Sequence, residues 1–271
     1  MRRLAILLLA PALLAAELAP RALPDAGTGL DAPFAAMRLL GAADDARERQ
    51  DWSAAAGHYR DVLALDPALD GARLGLVESL LALGRAGEAD ELLKPGEDRS
   101  ARLRIDLALG RLAEPAAALE AGFAATNDPR LLNALGRWRD DRGEGEAARM
   151  AFMRADTHQA PGLAQNNIGL SFLREGELER AQAAFDAAAG RTSDPHVSRN
   201  RRLCALLRAD YAAGLSGLSG ADAAPLLREA GAGALARGET RLAALLLERA
   251  SALSPRFDPR TQALLERLQE E

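Results

Sequence analysis

One pattern is written twice between Leu131 and Ala188: Leu135-Gly136, Gly143, Ala148, Phe152, Ala155, then Ile168-Gly169, Gly176, Ala181, Phe185, Ala188, with every matching pair 33 residues apart. Within each copy the apolar positions recur at helical spacing and a glycine separates two halves, so each copy reads as two antiparallel helices joined by a tight turn. Small residues (Gly136, Ala148, Gly169, Ala181) let the paired helices approach closely, while Phe152 and Phe185 fill the space between neighbouring pairs. No such pair buries its apolar face alone. The copies therefore stack, and the expected fold class is all-α.

A repeat of about 34 residues with this spacing resembles the tetratricopeptide repeat (TPR). The resemblance implies a solenoid, a right-handed superhelix of antiparallel helix hairpins with a concave face and a C-terminal capping helix. About six to seven hairpins are expected over 35–270, best formed at 129–161, 162–194 and 224–257, with the cap at 259–270. The first hairpin begins near Ala35, is degenerate in its opening helix and clear in its second (Ala55, Tyr59, Val62), with Asp51-Trp52 at the turn. The next (Leu76, Leu80, Gly84, Ala89, Leu93) is cut short by Pro95-Gly96, and a compressed third carries Pro115 at the start of its second helix. After the two strong copies, Val197 to Leu218 has an apolar first helix and a blurred turn, and the glycines 214, 217 and 220 read as a loop that breaks the period. Asp-Pro recurs at Asp66, Asp128, Asp194 and Asp258, each expected to cap a helix whose first turn holds the proline.

Arg2-Arg3 followed by the apolar run Leu4 to Ala16 and then small residues has the layout of a secretory signal, assigned to 1–22, with a mobile linker at 23–34. The run is short of the roughly 20 residues a membrane span needs, so no stable span is expected after signal cleavage, and the expected location is the periplasm. No cysteine follows the run, which removes a lipid anchor of the bacterial lipoprotein type.

A net charge of -5 argues against a general nucleic-acid surface, which would need a basic stripe to neutralise phosphates. The single cysteine, Cys204, excludes an internal disulfide and a cysteine-based zinc cluster, and its place on the apolar side of a helix marks it as a small core residue. The histidines His58, His158 and His196 fall in different repeats and lack a second ligand at helical spacing. Gly231-Ala232-Gly233 has no strand before it, so it is a helix-contact glycine and not a nucleotide loop. The carboxylates stand singly on helix faces beside arginines, as with Glu177 and Arg180. No catalytic residue, cofactor or metal site is expected, and an enzyme would need a domain for which the repeats leave no room.

Three stretches carry a further resemblance: Leu131-Leu132-Asn133-Ala134-Leu135-Gly136, Gln165-Asn166-Asn167-Ile168-Gly169-Leu170-Ser171, and Leu246 to Pro255 with Arg256-Phe257-Asp258-Pro259-Arg260. With the export signal, they resemble the TPR proteins of the Tad (Flp, tight-adherence) pilus-assembly system over about Ala35 to Leu268. That likeness implies a periplasmic protein, usually lipid-anchored, that helps to assemble or localise the outer-membrane secretin. The missing lipid-accepting cysteine departs from the family. An unrelated periplasmic TPR adaptor of cell-envelope machinery would share the same residue features.

TPR geometry points the fifth and sixth residues of each first helix into the concave face. Here those are Asn133, Asn166 and Asn167, with Asn200 one interval on. A carboxamide carries both a donor and an acceptor, so a row of them can pair with the backbone of an extended protein or peptide partner. Arg137 and Arg201 bias this groove toward acidic ligands, and Leu170 and Leu173 offer an apolar pocket; the competing reading is that some asparagines tie adjacent helices together.

Overall fold

The computed structural model describes residues 31–156 and 162–270, and among them fifteen α-helices and no strand. The proposed signal, most of the linker and His158 lie outside these residues. The chain divides into two compact units, one ending at Trp138 and the other beginning at Arg139.

In the first unit, α1(Asp31–Glu48) pairs with α2(Trp52–Leu65), and α2 packs in turn on α3(Asp70–Ala82). There follow α4(Ala86–Leu92), α5(Arg99–Ala108), α6(Pro115–Thr126) and the start of α7(Pro129–Asp141). The first helix begins ahead of Ala35, because Pro33 falls in an opening turn where a missing N–H costs nothing. Tyr59, Val62, Leu76, Leu80 and Ile105 build the core, and the Tyr59 ring lies directly on Gly75, where there is no room for a Cβ. The Tyr59 hydroxyl donates to Asp44 at 2.6 Å, so this large residue is buried with its polar end satisfied. At the truncated α4, buried Arg73 holds Glu97 and Asp70, and Lys94, the sole lysine of the chain, reaches Asp70 at 3.1 Å. These bonds pin the Pro95-Gly96 loop that replaces the missing turn of helix.

The second unit contains α8(Gly145–Ala155), α9(Leu163–Arg174), α10(Leu178–Ala189), α11(Pro195–Leu207), α12(Tyr211–Leu215), α13(Gly220–Ala236), α14(Thr240–Leu253) and α15(Pro259–Glu270). Buried positions in α10 fall at Ala181, Ala184, Phe185 and Ala188, a helical stripe facing α9 and α11. A Cβ at Gly169 would lie 2.6 Å from the Phe185 ring, and one at Gly231 would lie 2.7 Å from Leu247. Those two glycines are therefore what lets α9 meet α10 and α13 meet α14. The cap helix α15 packs on α14 and adds Leu264 and Leu268 to the terminal core.

Seven hairpins are visible among the described residues, and each turn contains a residue in the left-handed region: Gln50, Gly84, Gly110, Gly143, Gly176, Ala209 and Gly238. Glycine adopts this conformation without a steric penalty; Gln50 and Ala209 do not. Two loop expectations need correction. Gly214 lies inside α12 and packs on Leu206, and Gly220 opens α13, which Ser219 caps by accepting from Asp222 N. The last first-helix thus starts ahead of residue 224, with Pro225 inside it. Asp128, Asp194 and Asp258 accept from the amides of Arg130, His196 and Arg260 at the starts of α7, α11 and α15, as their Asp-Pro steps require. Asp66 differs: it ends α2 and its carboxylate takes Ala68 N in a turn, while α3 starts only at Asp70.

Candidate functional site

In α7, Leu131, Leu132, Leu135 and Gly136 are buried, which turns Arg130, Asn133 and Arg137 to the opposite side at helical spacing. The Asn133 Oδ1 atom is buried and accepts no hydrogen bond. Arg137, one turn on, is exposed and forms no ion pair among the described residues. Arg130 binds Asp128 and Glu78, each at 2.7 Å, and Glu78 also takes Arg104 from α5, whose buried Nε has no partner. Burial raises the Asp128 carboxyl, but the hydrogen bonds and charge of Arg130 outweigh it and hold the group below the usual carboxylate range. The first unit therefore offers an unused acceptor, an unused donor and an unpaired guanidinium on its first-helix side.

The second unit treats its expected groove residues differently. Asn200 Nδ2 donates to Asn166 Oδ1 at 2.9 Å, a bond between α9 and α11 across 34 residues, with Asn166 itself buried. The two asparagines thus tie successive first helices together, as the competing reading of the sequence holds. Asn167 is partly buried beside them. Leu170 and Leu173 are not an open pocket: both pack against the core around Phe172 and Phe185. Arg201 is drawn away to Asp186 on α10 at 2.5 Å, so it is a structural ion pair between helices. The same first-helix row carries further rungs, Arg174 to Asp140 at 2.5 Å, Arg199 to Glu229, and Arg228 to Asp258 at 2.5 Å.

Cys204 is fully buried; its Sγ donates to Leu178 O at 3.4 Å, and burial pushes its thiol up to about 11. His58 is partly buried in α2 and His196 is exposed at the start of α11. Among the described residues no group of three His, Cys, Asp or Glu is placed to hold a metal ion. No described helix is long and apolar enough to cross a membrane.

One cluster has no counterpart among the sequence expectations. The Phe172 ring is held between two guanidiniums, Arg149 at 4.4 Å and Arg180 at 4.1 Å from its centroid. These residues come from three helices, and the repeat register alone places none of their side chains together.

Antiparallel hairpins in series, bound to one another by side-chain rungs, define a helical-repeat scaffold. Residues 46–102 match the family model described as tetratricopeptide repeat, and the fold is a TPR solenoid. Among solved structures, a tetratricopeptide repeat protein from Parabacteroides merdae ATCC 43184 is similar over 87% of this chain and 99% of its own, at 14% identity and a TM-score of 0.43. The APC/C hetero-tetramer Cut9-Hcn1 is similar over 87% of this chain and 43% of that one, at 18% identity and a TM-score of 0.48. No curated protein matches the sequence.

Proposed function

We propose that this protein is a non-catalytic periplasmic scaffold that holds protein partners, and that those partners belong to Tad/Flp pilus or secretin assembly. A solenoid of this type is a partner-binding surface, and the local resemblance of 131–136, 165–171 and 246–260 supports the pilus system. The observation that carries the binding role is the Asn133 carboxamide, whose buried oxygen lacks a donor beside the unpaired Arg137. A buried acceptor without a partner costs about 1–3 kcal/mol, which a backbone N–H of an extended partner segment would recover once the half-buried carboxamide turns toward it. Arg137 favours a partner with an acidic side chain nearby. Asn166 and Asn200 keep the first helices in register and contribute to binding only through that.

The test places a photocrosslinking residue at Arg137 in cells that carry the pilus genes. Crosslinks to a pilus-assembly or secretin component, lost with Asn133→Ala, are expected. Crosslinks only to other envelope machinery would reject the pilus assignment, and full-length protein retained in the cytosol would reject export.

A further inference from the structure

Helix α8 leaves an apolar ridge uncovered. Met150 is 55% exposed and Met153 52% exposed, one helical turn apart, whereas Ala148, Ala151, Phe152 and Ala155 on the other side are buried. The ridge leads into an open cleft of about 570 Å³ at the first turn of α8, walled by Met150 and by Glu144, Glu146, Arg149 and Glu175. Gly145 lines its floor, and the Glu175 carboxylate occupies the space where a Cβ would stand.

Charge decides what can cover this ridge. Three carboxylates face one guanidinium, that of Arg149, whose Nη1 is already engaged: it donates to Glu175 at 2.9 Å and to Ser171 Oγ at 3.1 Å while the group lies over Phe172. Glu144 is tied to Arg142 at 3.4 Å. Glu146 forms no ion pair among the described residues and stands exposed at the rim. The partial positive charge of the α8 N-terminus offsets about half a charge, and Glu175 sits on it, so the cleft remains negative.

We propose that α8 is a docking surface for a basic amphipathic helix of a partner, with apolar side chains on Met150 and Met153 and an arginine or lysine in the cleft. Methionine is suited to the apolar part, because its unbranched, polarisable side chain adapts to the shape laid on it. The basic end of the partner lies over the first turn of α8, where the carboxylates of the cleft stand.

The chain has four methionines, Met1, Met37, Met150 and Met153, so labelling their methyl carbons gives a resolved reporter. The full chain is titrated with a synthetic helix carrying a leucine stripe and arginines, and with its twin in which glutamates replace the arginines. The arginine helix is expected to shift the Met150 and Met153 signals and leave Met37 unmoved. The glutamate twin should do neither. Glu146→Gln should weaken binding about fivefold and Met153→Gln by at least as much, with unchanged helical circular dichroism since both side chains face solvent. Equal binding of the twin, unmoved Met150 and Met153 signals, or signals that change on dilution of the protein alone would overturn the proposal, the last because a second copy would then cover the ridge.

Discussion

The hairpins α9–α10 and α11–α12 occupy the same register, 33 residues apart, yet the second helix of one is 12 residues long and that of the other only 5. In the first, the small residue is Gly169 on the opening helix, and Phe185 drops onto it. In the second, the equivalent position is Arg202, which has no space to give. The small residue appears instead on the other helix: a Cβ at Gly214 would lie 2.6 Å from Leu206. Arg202 then donates to Ser216 O at 2.6 Å and Gly214 O at 3.4 Å, so it caps the carbonyls where α12 stops. The turn differs too, with Gly176 at φ 79° replaced by Ala209 at φ 59°. A close helix contact can thus be made from either partner, but the choice sets how far the second helix can run.

The comparison breaks most readily at its largest side chain. Phe185→Ala should cost about 3–5 kcal/mol of unfolding free energy in urea, the range for emptying a buried aromatic site. Leu218→Ala, the matching change in the short hairpin, should cost under about 2 kcal/mol because Leu218 is only partly buried. Similar losses would mean that the two hairpins share one packing scheme after all. Next come the small residues. Gly169→Ala and Gly214→Ala should each cost about 1–3 kcal/mol by overpacking, while Gly176→Ala acts only through its backbone conformation.

A smaller effect appears at alkaline pH. Burial raises the Cys204 thiol to about 11, above the ~8.5 of an unfolded chain, so between these values the folded state holds a proton that the unfolded state has released. Stability from this thiol is fully present below about pH 8.5 and is lost as pH rises to about 11. The urea midpoint of the wild type should fall more steeply over that window than that of Cys204→Ala, and parallel curves would reject a buried thiol. Smallest of all, Ala209→Gly should stabilise by at most about 1 kcal/mol, the relief of a left-handed residue less the added freedom of the unfolded chain. A loss of stability would show that Ala209 makes compensating contacts.

Helical period made the strong hairpins legible, because burial at Ala181, Phe185 and Ala188 repeats what the sequence spacing shows. The hairpin at 195–215 was harder, since its turn glycine is an alanine and its contact glycine lies on the unexpected helix. The groove was legible only in part. Spacing placed Asn133, Asn166 and Asn200 on first helices, but whether a carboxamide meets a neighbour or stays unpaired depends on side-chain positions in the next repeat. Arg201 illustrates the limit: its long stem reaches whichever carboxylate is nearest, and Asp186 on the second helix is nearer than the groove. Asp66 shows the same for caps, where a proline step serves a free turn as well as a helix start.

The bond from Asn200 to Asn166 makes the length of the chain between them a quantity under constraint. A residue inserted within α11 ahead of Asn200 would swing the carboxamide by about 100° and move it about 1.5 Å along the axis, out of reach of its acceptor. The same insertion in the Gly190–Asp194 turn could be absorbed with the bond intact, because a turn can bulge and a helix cannot. Related arrays should therefore vary in length at turns or by whole repeats, since only those changes return donor and acceptor to the same line.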